Sequence, residues 1–298
     1  MLDLNRILSN NRTCFALTGL SISAFNTLLQ TFERELYLIR KLKPNRKRAV
    51  GAGQKGSLPT TADKLAFTLI YLKVYPTYDV LAALTSRSRG KCCESIQFLL
   101  PVLEKSLGKS CVLPERKITS VNEFFHQFSD IQDCFIDGVE RPVQRPKSSK
   151  QQRKLYSGKK KSHTRKNIIC CDDKRQVLFL SPTHSGRRHD KRVLDKSQFI
   201  ENLPPDVTIW ADTGFVGLQH QHNNTEIPKK RQKGQKLSQE QKDNNKAISA
   251  IRVVIEHAIG GCKRYKAMAD IYRNKRKNLD DLFHLLAAGL WNFHLQNV

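Results

Sequence analysis

The spacing of apolar residues changes character near residue 130, and this change restricts the fold more than any other feature. Before it, apolar residues recur at helical intervals. Phe25, Leu28, Leu29, Phe32, Leu36 and Ile39 form one face of a helix over 21–43, opened by Ser21 or Ser23. Thr60-x-x-Asp63 is a capping pattern for a helix carrying Leu65, Leu69 and Leu72. Pro76-Thr77 ends it, 78–84 gives a short second helix, and 91–107 a third with Ile96, Leu99, Leu100 and Leu103. Pro101 inside that pattern predicts a kink or a split. Ser120-x-x-Glu123 caps one more short helix, through Phe128.

After residue 130 the apolar runs are short, β-branched or aromatic, and bounded by polar residues. They predict strands at 134–139, 167–172, 176–181 and 207–211. Lys174-Arg175 suits a hairpin between the second and third. A helix is expected at 189–203, a strong one at 242–263 and another at 279–295. The order strand, strand, strand, helix, strand, helices combines hairpins with a crossover, so the fold class is α/β. The expected division is an N-terminal helical segment with a basic linker over 1–50, a helical region over 51–128 and the α/β domain over 129–298. The linker itself covers 41–55.

The chain carries 52 Lys+Arg against 27 Asp+Glu, a net +25 over 298 residues. Such an excess calls for a polyanion: DNA, RNA or an anionic membrane surface. Charge alone does not separate an enzyme from a structural nucleic-acid binder. No apolar run reaches the length of a spanning helix, and the N-terminus lacks a signal peptide's apolar run, so a cytoplasmic, nucleoid-associated protein with no membrane partner is expected. None of the eight cysteines forms a C-x-x-C pair. Reduced thiols buried as small apolar groups are favoured over zinc ligands.

In so basic a chain, acids at the edges of core strands stand out. Asp137 follows Phe135-Ile136 and is placed at or near the end of the first strand. Asp212 follows Ile209-Trp210-Ala211, and Thr213-Gly214 turns the chain after it. Ligands bind at strand ends in open α/β sheets. Glu256 lies on the helix over 242–263, on a polar stripe with Arg252 and Lys263. Ile251, Val254, Ile255, Ala258, Ile259 and Cys262 make the apolar face. Alone, a Glu between Arg and Lys usually reads as a solvated helical pair. Phosphodiester cleavage gives a reason to gather three acids. Two Mg²⁺ ions about 3.5–4 Å apart stabilise the attacking and leaving oxygens, and carboxylates are the hard ligands Mg²⁺ prefers.

Two basic regions are candidates for DNA contact. Arg87, Arg89 and Lys91 sit at the turn before the third helix, where a helix-turn-helix would meet DNA; a helical bundle with a solvated turn is the alternative. Between Arg141 and Cys171 there is no acidic residue, while Lys159, Lys160, Lys161 and Arg165 are among eleven basic ones. That stretch is either a disordered loop or a strip that tracks phosphates beside the acids.

These segments together resemble the DDE transposases of bacterial insertion sequences, in the branch similar to Harbinger-type nucleases. The resemblance rests on Phe135-Ile136-Asp137-Gly138-Val139-Glu140-Arg141-Pro142, Tyr156-Ser-Gly-Lys-Lys-Lys-Ser-His-Thr164, Arg188-His189-Asp190, Trp210-Ala211-Asp212-Thr213-Gly214-Phe215 and the spacing Arg252-x₃-Glu256-x₆-Lys263. The stretch 75–104 resembles the family's helix-turn-helix, and coverage runs from about residue 55 to the end. The resemblance implies an RNase H-like fold, with Asp137, Asp212 and Glu256 holding two Mg²⁺ ions (Mn²⁺ as the alternative) and Arg252 and Lys263 flanking the Glu. It implies cleavage at transposon terminal repeats and strand transfer into target DNA, by a homodimer on double-stranded DNA. A nuclease without strand transfer, or a regulator without catalysis, would share most of these residues. Related groups carry a Tyr three residues before the Arg; here it is Ser249. No role for His189-Asp190 follows from the sequence beyond a helix cap.

Overall fold

The computed structural model describes residues 3–42, 44, 49–52, 56–231 and 234–298. The linker expected over 41–55 lies in part outside them. The chain forms two compact units. One comprises Met1–Leu113, Cys262–Asp270 and Leu282–Val298; the other comprises Pro114–Gly261 and Ile271–Asp281.

The first unit is helical: α1 (Leu4–Leu8), α2 (Asn11–Thr18), α3 (Ile22–Lys41), α4 (Thr61–Val74), α5 (Tyr78–Thr85) and α6 (Arg89–Lys109). Ser21 caps α3 through the Ala24 N–H, and Phe25, Leu28, Phe32 and Leu36 are buried as the periodicity predicts. The Thr60–Asp63 capping box is complete. Every residue from Leu65 to Leu72 of α4 is buried, so α4 is the centre of this unit rather than an amphipathic surface helix. Tyr75 in the left-handed region ends it, and Thr77 caps α5. The split expected as one outcome at Pro101 does not occur: α6 continues across it. Pro101 is exposed, so its ring clears the core and water can satisfy the carbonyl it leaves unbonded.

The second unit opens with α7 (Val121–Gln127), followed by β1 (Asp133–Pro142), α8 (Ser149–Leu155), β2 (Tyr156–Ser157), β3 (Ser162–Cys171), β4 (Val177–Leu180), β5 (His184–Ser185), α9 (Asp190–Ser197), β6 (Thr208–Ala211), β7 (Thr225–Glu226), α10 (Gln239–Ile251) and α11 (Val253–Cys262). Two helices complete the chain, α12 (Lys266–Ala269) and α13 (Leu279–Gln296). The sheet order is β2-β3-β1-β6-β7, with β4 and β5 also pairing β3. β3 and β4 pair antiparallel, as do β1 and β3; β1–β6 and β6–β7 are parallel. A core of Ile118, Phe124, Ile136, Ile168, Phe179, Leu194, Phe199, Ile209 and Phe215 packs against this sheet. The α/β class is as expected. Among the described residues no helix is long and apolar enough to cross a membrane. Six of the eight cysteines are buried and all are reduced; Cys93 is half-buried and Cys111 exposed.

Three boundaries differ from the sequence reading, each for a physical reason. β3 begins at Ser162, five residues before the strand expected there, because its first half is charged and pairs with the far half of β1. The helix expected over 189–203 stops at Ser197, where Gln198 adopts positive φ, and a 3-10 turn follows. The single helix expected over 242–263 is two. α10 starts earlier, at a Ser238–Gln241 capping box, and ends at Arg252, beyond which α11 begins. Ile251, assigned to the apolar face, is 40% exposed at this break.

Candidate active site

The sheet brings two acids together. Parallel pairing of β1 with β6 runs to Ile136↔Ala211, and the next residue on each strand is Asp137 and Asp212. Asp137 is therefore not at the end of β1, which continues to Pro142; what ends beside it is β6. Asp137 Oδ1 accepts the Gly138 N–H at 2.6 Å. Asp212 caps the 3-10 turn Thr213–Phe215, its Oδ1 accepting the Gly214 N–H at 2.7 Å. Burial raises the pKa of Asp137, and the Asp212 charge raises it further; the Gly138 N–H, Arg252 and Lys159 oppose the shift. Arg252 Nη2 lies 3.7 Å from Asp137 Oδ2, and Lys159 Nζ 3.8 Å from Asp212 Oδ2. The Nε of Arg252 is buried without a hydrogen-bond partner among the described residues.

A second charged group supports this pair. Lys166 on β3 bridges Asp190 Oδ1 at 2.7 Å and Glu140 Oε1 at 3.3 Å, with all three side chains nearly buried. Thr164 donates its hydroxyl to Glu140 at 2.5 Å. Asp190 lies close to the backbone beside both acids, at Gly138 and Gly214. A Cβ on Gly138 would meet its carboxylate at 3.1 Å. A Cβ on Gly214 would stand 2.7 Å from Asp212 Oδ1 and 3.6 Å from Asp190 Oδ2. A side chain at Gly214 would displace the Asp212 carboxylate, and one at Gly138 would crowd that of Asp190. Asp190 was legible only as part of Arg188-His189-Asp190. His189 occupies the cap position of α9 without a side-chain cap bond, and Asp190 turns to Lys166. Glu140 gave no signal beyond its place in Phe135–Pro142, and Lys166 none beyond the acid-free basic stretch.

Glu256 lies in the first turn of α11, four residues after Arg252, and is exposed. Among the described residues no three His, Cys, Asp or Glu side chains are close enough to hold a metal ion. Asp137 and Asp212 nevertheless suit a divalent cation: they are hard oxygen donors, and their mutual repulsion raises Asp137 in its absence. Lys263 is exposed and belongs to the helical unit. The Ser249 hydroxyl bonds back to Asn245 O at 2.8 Å.

The basic residues divide into committed and free. Arg87 donates to Ser95 Oγ at 2.8 Å and stacks over Phe67, 5.7 Å from the ring centre. Arg89, in the first turn of α6, is 3.7 Å from Asp79 with both side chains 72% exposed, and Lys91 is exposed. Arg165 is held by Asp280 at 2.7 Å, and Arg141 is fully buried over the Tyr272 ring. Lys159, Lys160 and Lys161 form the exposed turn of the β2–β3 hairpin. The basic stretch is an ordered helix and hairpin. A cleft of about 340 Å³ beside the acids is lined by Lys159, Lys166, Arg187, Arg188, Asp212 and Gly214, among others.

A family profile described as DDE superfamily endonuclease matches residues 136–292. This span starts one residue before Asp137 and includes Asp212, Arg252, Glu256 and Lys263. The chain is 29% identical over 268 residues to a protein of Microchaete diplosiphon named "Probable transposase for insertion sequence element IS702", covering 89% of this chain and 91% of that relative. No solved structure matches significantly. Endonucleases of this superfamily generally use divalent metal ions. The chain belongs to the DDE superfamily endonuclease family.

Proposed function

We propose that this protein cuts DNA at transposon ends and joins the freed ends to target DNA, using two Mg²⁺ ions held by Asp137, Asp212 and Glu256. The observation that carries the reading is the pairing of Asp137 with Asp212 at the register step past Ile136↔Ala211, with Arg252 beside them. The ions, when bound, stabilise the attacking and leaving oxygens of an in-line displacement. Asp137 and Asp212 supply fixed oxygens from the sheet, and their backbone N–H contacts hold the carboxylates in place. Glu256 supplies the third carboxylate from α11. Arg252 carries a buried, unpaired Nε, a donor suited to a phosphate oxygen. Lys159 is 62% exposed beside Asp212 and meets the flanking backbone. Chain residues form no covalent bond to DNA in this scheme.

The sheet order, with three antiparallel strands and two parallel ones, supports an RNase H-like domain. The succession α4, α5, α6 supports a helix-turn-helix, in which exposed Arg89 and Lys91 contact DNA while Arg87 packs internally. Processing two ends together implies a homodimer.

The test is cleavage and joining of a DNA substrate bearing the element's ends. Asp137→Asn, Asp212→Asn and Glu256→Gln are each expected to abolish Mg²⁺-dependent cleavage while DNA affinity stays within about threefold. Retained cleavage in a purified variant removes that residue from the site. Cleavage without joined product leaves a nuclease.

A further inference from the structure

A second cleft borders the β2–β3 hairpin, with a volume of about 960 Å³. Its lining includes Arg145, Arg153, Lys161 and Arg187, together with Tyr156 and His163. Among the described residues no acidic side chain lines it. Tyr156 and His163 are cross-strand partners in β2 and β3. Their rings meet edge to face, 5.8 Å apart at 72°, and Tyr156 remains 43% exposed. A large aromatic side chain held by its neighbour yet open to solvent is a stacking platform that loses little entropy on use. Gly158 joins this cleft to the one beside the acids, and Arg187 lines both. A side chain at Gly158 would meet nothing within 4 Å, so the backbone there is open to approach.

We propose that this cleft binds one unpaired nucleotide of the strand being cut: the base stacks on Tyr156, whose ring His163 braces edge to face, and Arg145, Arg153, Lys161 and Arg187 take the flanking phosphates. Cations alone would suit any DNA backbone. The aromatic pair among them distinguishes an unstacked base from a duplex, because bases inside a helix offer no free face. The cleft's continuity with the acid cleft puts this nucleotide next to the phosphate that reacts. The inference rests on the nuclease reading for that last step only.

The binding test needs no cleavage. Fluorescence anisotropy in EDTA would compare labelled oligothymidylate, an abasic oligonucleotide of equal length, and a duplex. Tyr156→Ala is expected to weaken oligothymidylate binding about tenfold, within the range for losing one base–aromatic stack. Its affinity for the abasic strand and the duplex should stay within about twofold. Tyr156→Trp should bind oligothymidylate at least as well as the parent chain, whereas Arg187→Ala should weaken the abasic strand as well. An unchanged oligothymidylate affinity in Tyr156→Ala, or an equal loss on the abasic strand, overturns the proposal. Because the comparison is made in EDTA and reads binding alone, a failure of the cleavage scheme would leave it intact.

Discussion

Lys166 shows how closely the acid site depends on single residues around it. Its ammonium is 5% exposed and stands between two carboxylates nearly as buried, Glu140 and Asp190. Such a group is stable only while paired, since each unpaired buried charge carries a desolvation cost of several kcal/mol. Asp190 in turn packs onto Gly138 and Gly214, the neighbours of the two metal-binding candidates. We expect Lys166→Met to lower unfolding free energy by about 3–5 kcal/mol, the usual effect of removing one member of a buried pair. Urea denaturation measures this, and a loss under about 1 kcal/mol would show that the three charges are not coupled. The double change Glu140→Gln with Asp190→Asn, added to Lys166→Met, should recover part of the loss. Asp137 and Asp212 could be picked out from sequence because acids at strand edges are rare in so basic a chain. Lys166 could not, because a lysine inside a basic run looks like every other lysine until its neighbours across the sheet are known.

At the scale of elements, the basic run from Arg141 to Cys171 resolves into α8, a tight hairpin and the first half of β3. Three of its cations are committed inside the fold: Arg141 to Tyr272, Arg165 to Asp280 and Lys166 to the two acids. Those at the hairpin turn are exposed and can meet phosphate, although Lys159 also lies 3.8 Å from Asp212. Replacing Lys159, Lys160 and Lys161 with Ala should make the dependence of log Kd on log salt shallower by about 2–3, at roughly 0.9 per phosphate contact in B-DNA. A slope unchanged within error would mean that the turn does not touch the backbone. Helix existence and capping were readable from the sequence, as the Thr60–Asp63 box and the Ser120 cap on Glu123 N show. Helix continuity was not. Arg252 lies at a break that no proline or glycine announces, while α6 continues through Pro101. Pro101 is exposed and Arg252 is largely buried, and that difference is set by tertiary packing that periodicity does not encode.

At the scale of the whole molecule, the order of strands and the helix between the third and fourth long strands were legible, and so was the α/β class. The assembly of the helical unit was less so. Its C-terminal segments, Cys262–Asp270 and Leu282–Val298, come from beyond the sheet in sequence, and spacing along the chain gives no hint of such a return. The short strands β2, β5 and β7 carry two residues each, too few to show alternation. The central claim concerns the acids. Asp137 and Asp212 already follow a paired step of the neighbouring strands β1 and β6, and Glu256 on α11 would join them around a metal. Crystals of the protein bound to DNA and soaked in Mn²⁺ would test this through anomalous scattering. The account predicts density between Asp137 and Asp212, with a Glu256 oxygen within about 2.5 Å of a bound ion. Strong ion density elsewhere, or Glu256 remaining turned to solvent while ions occupy the pair, would contradict it.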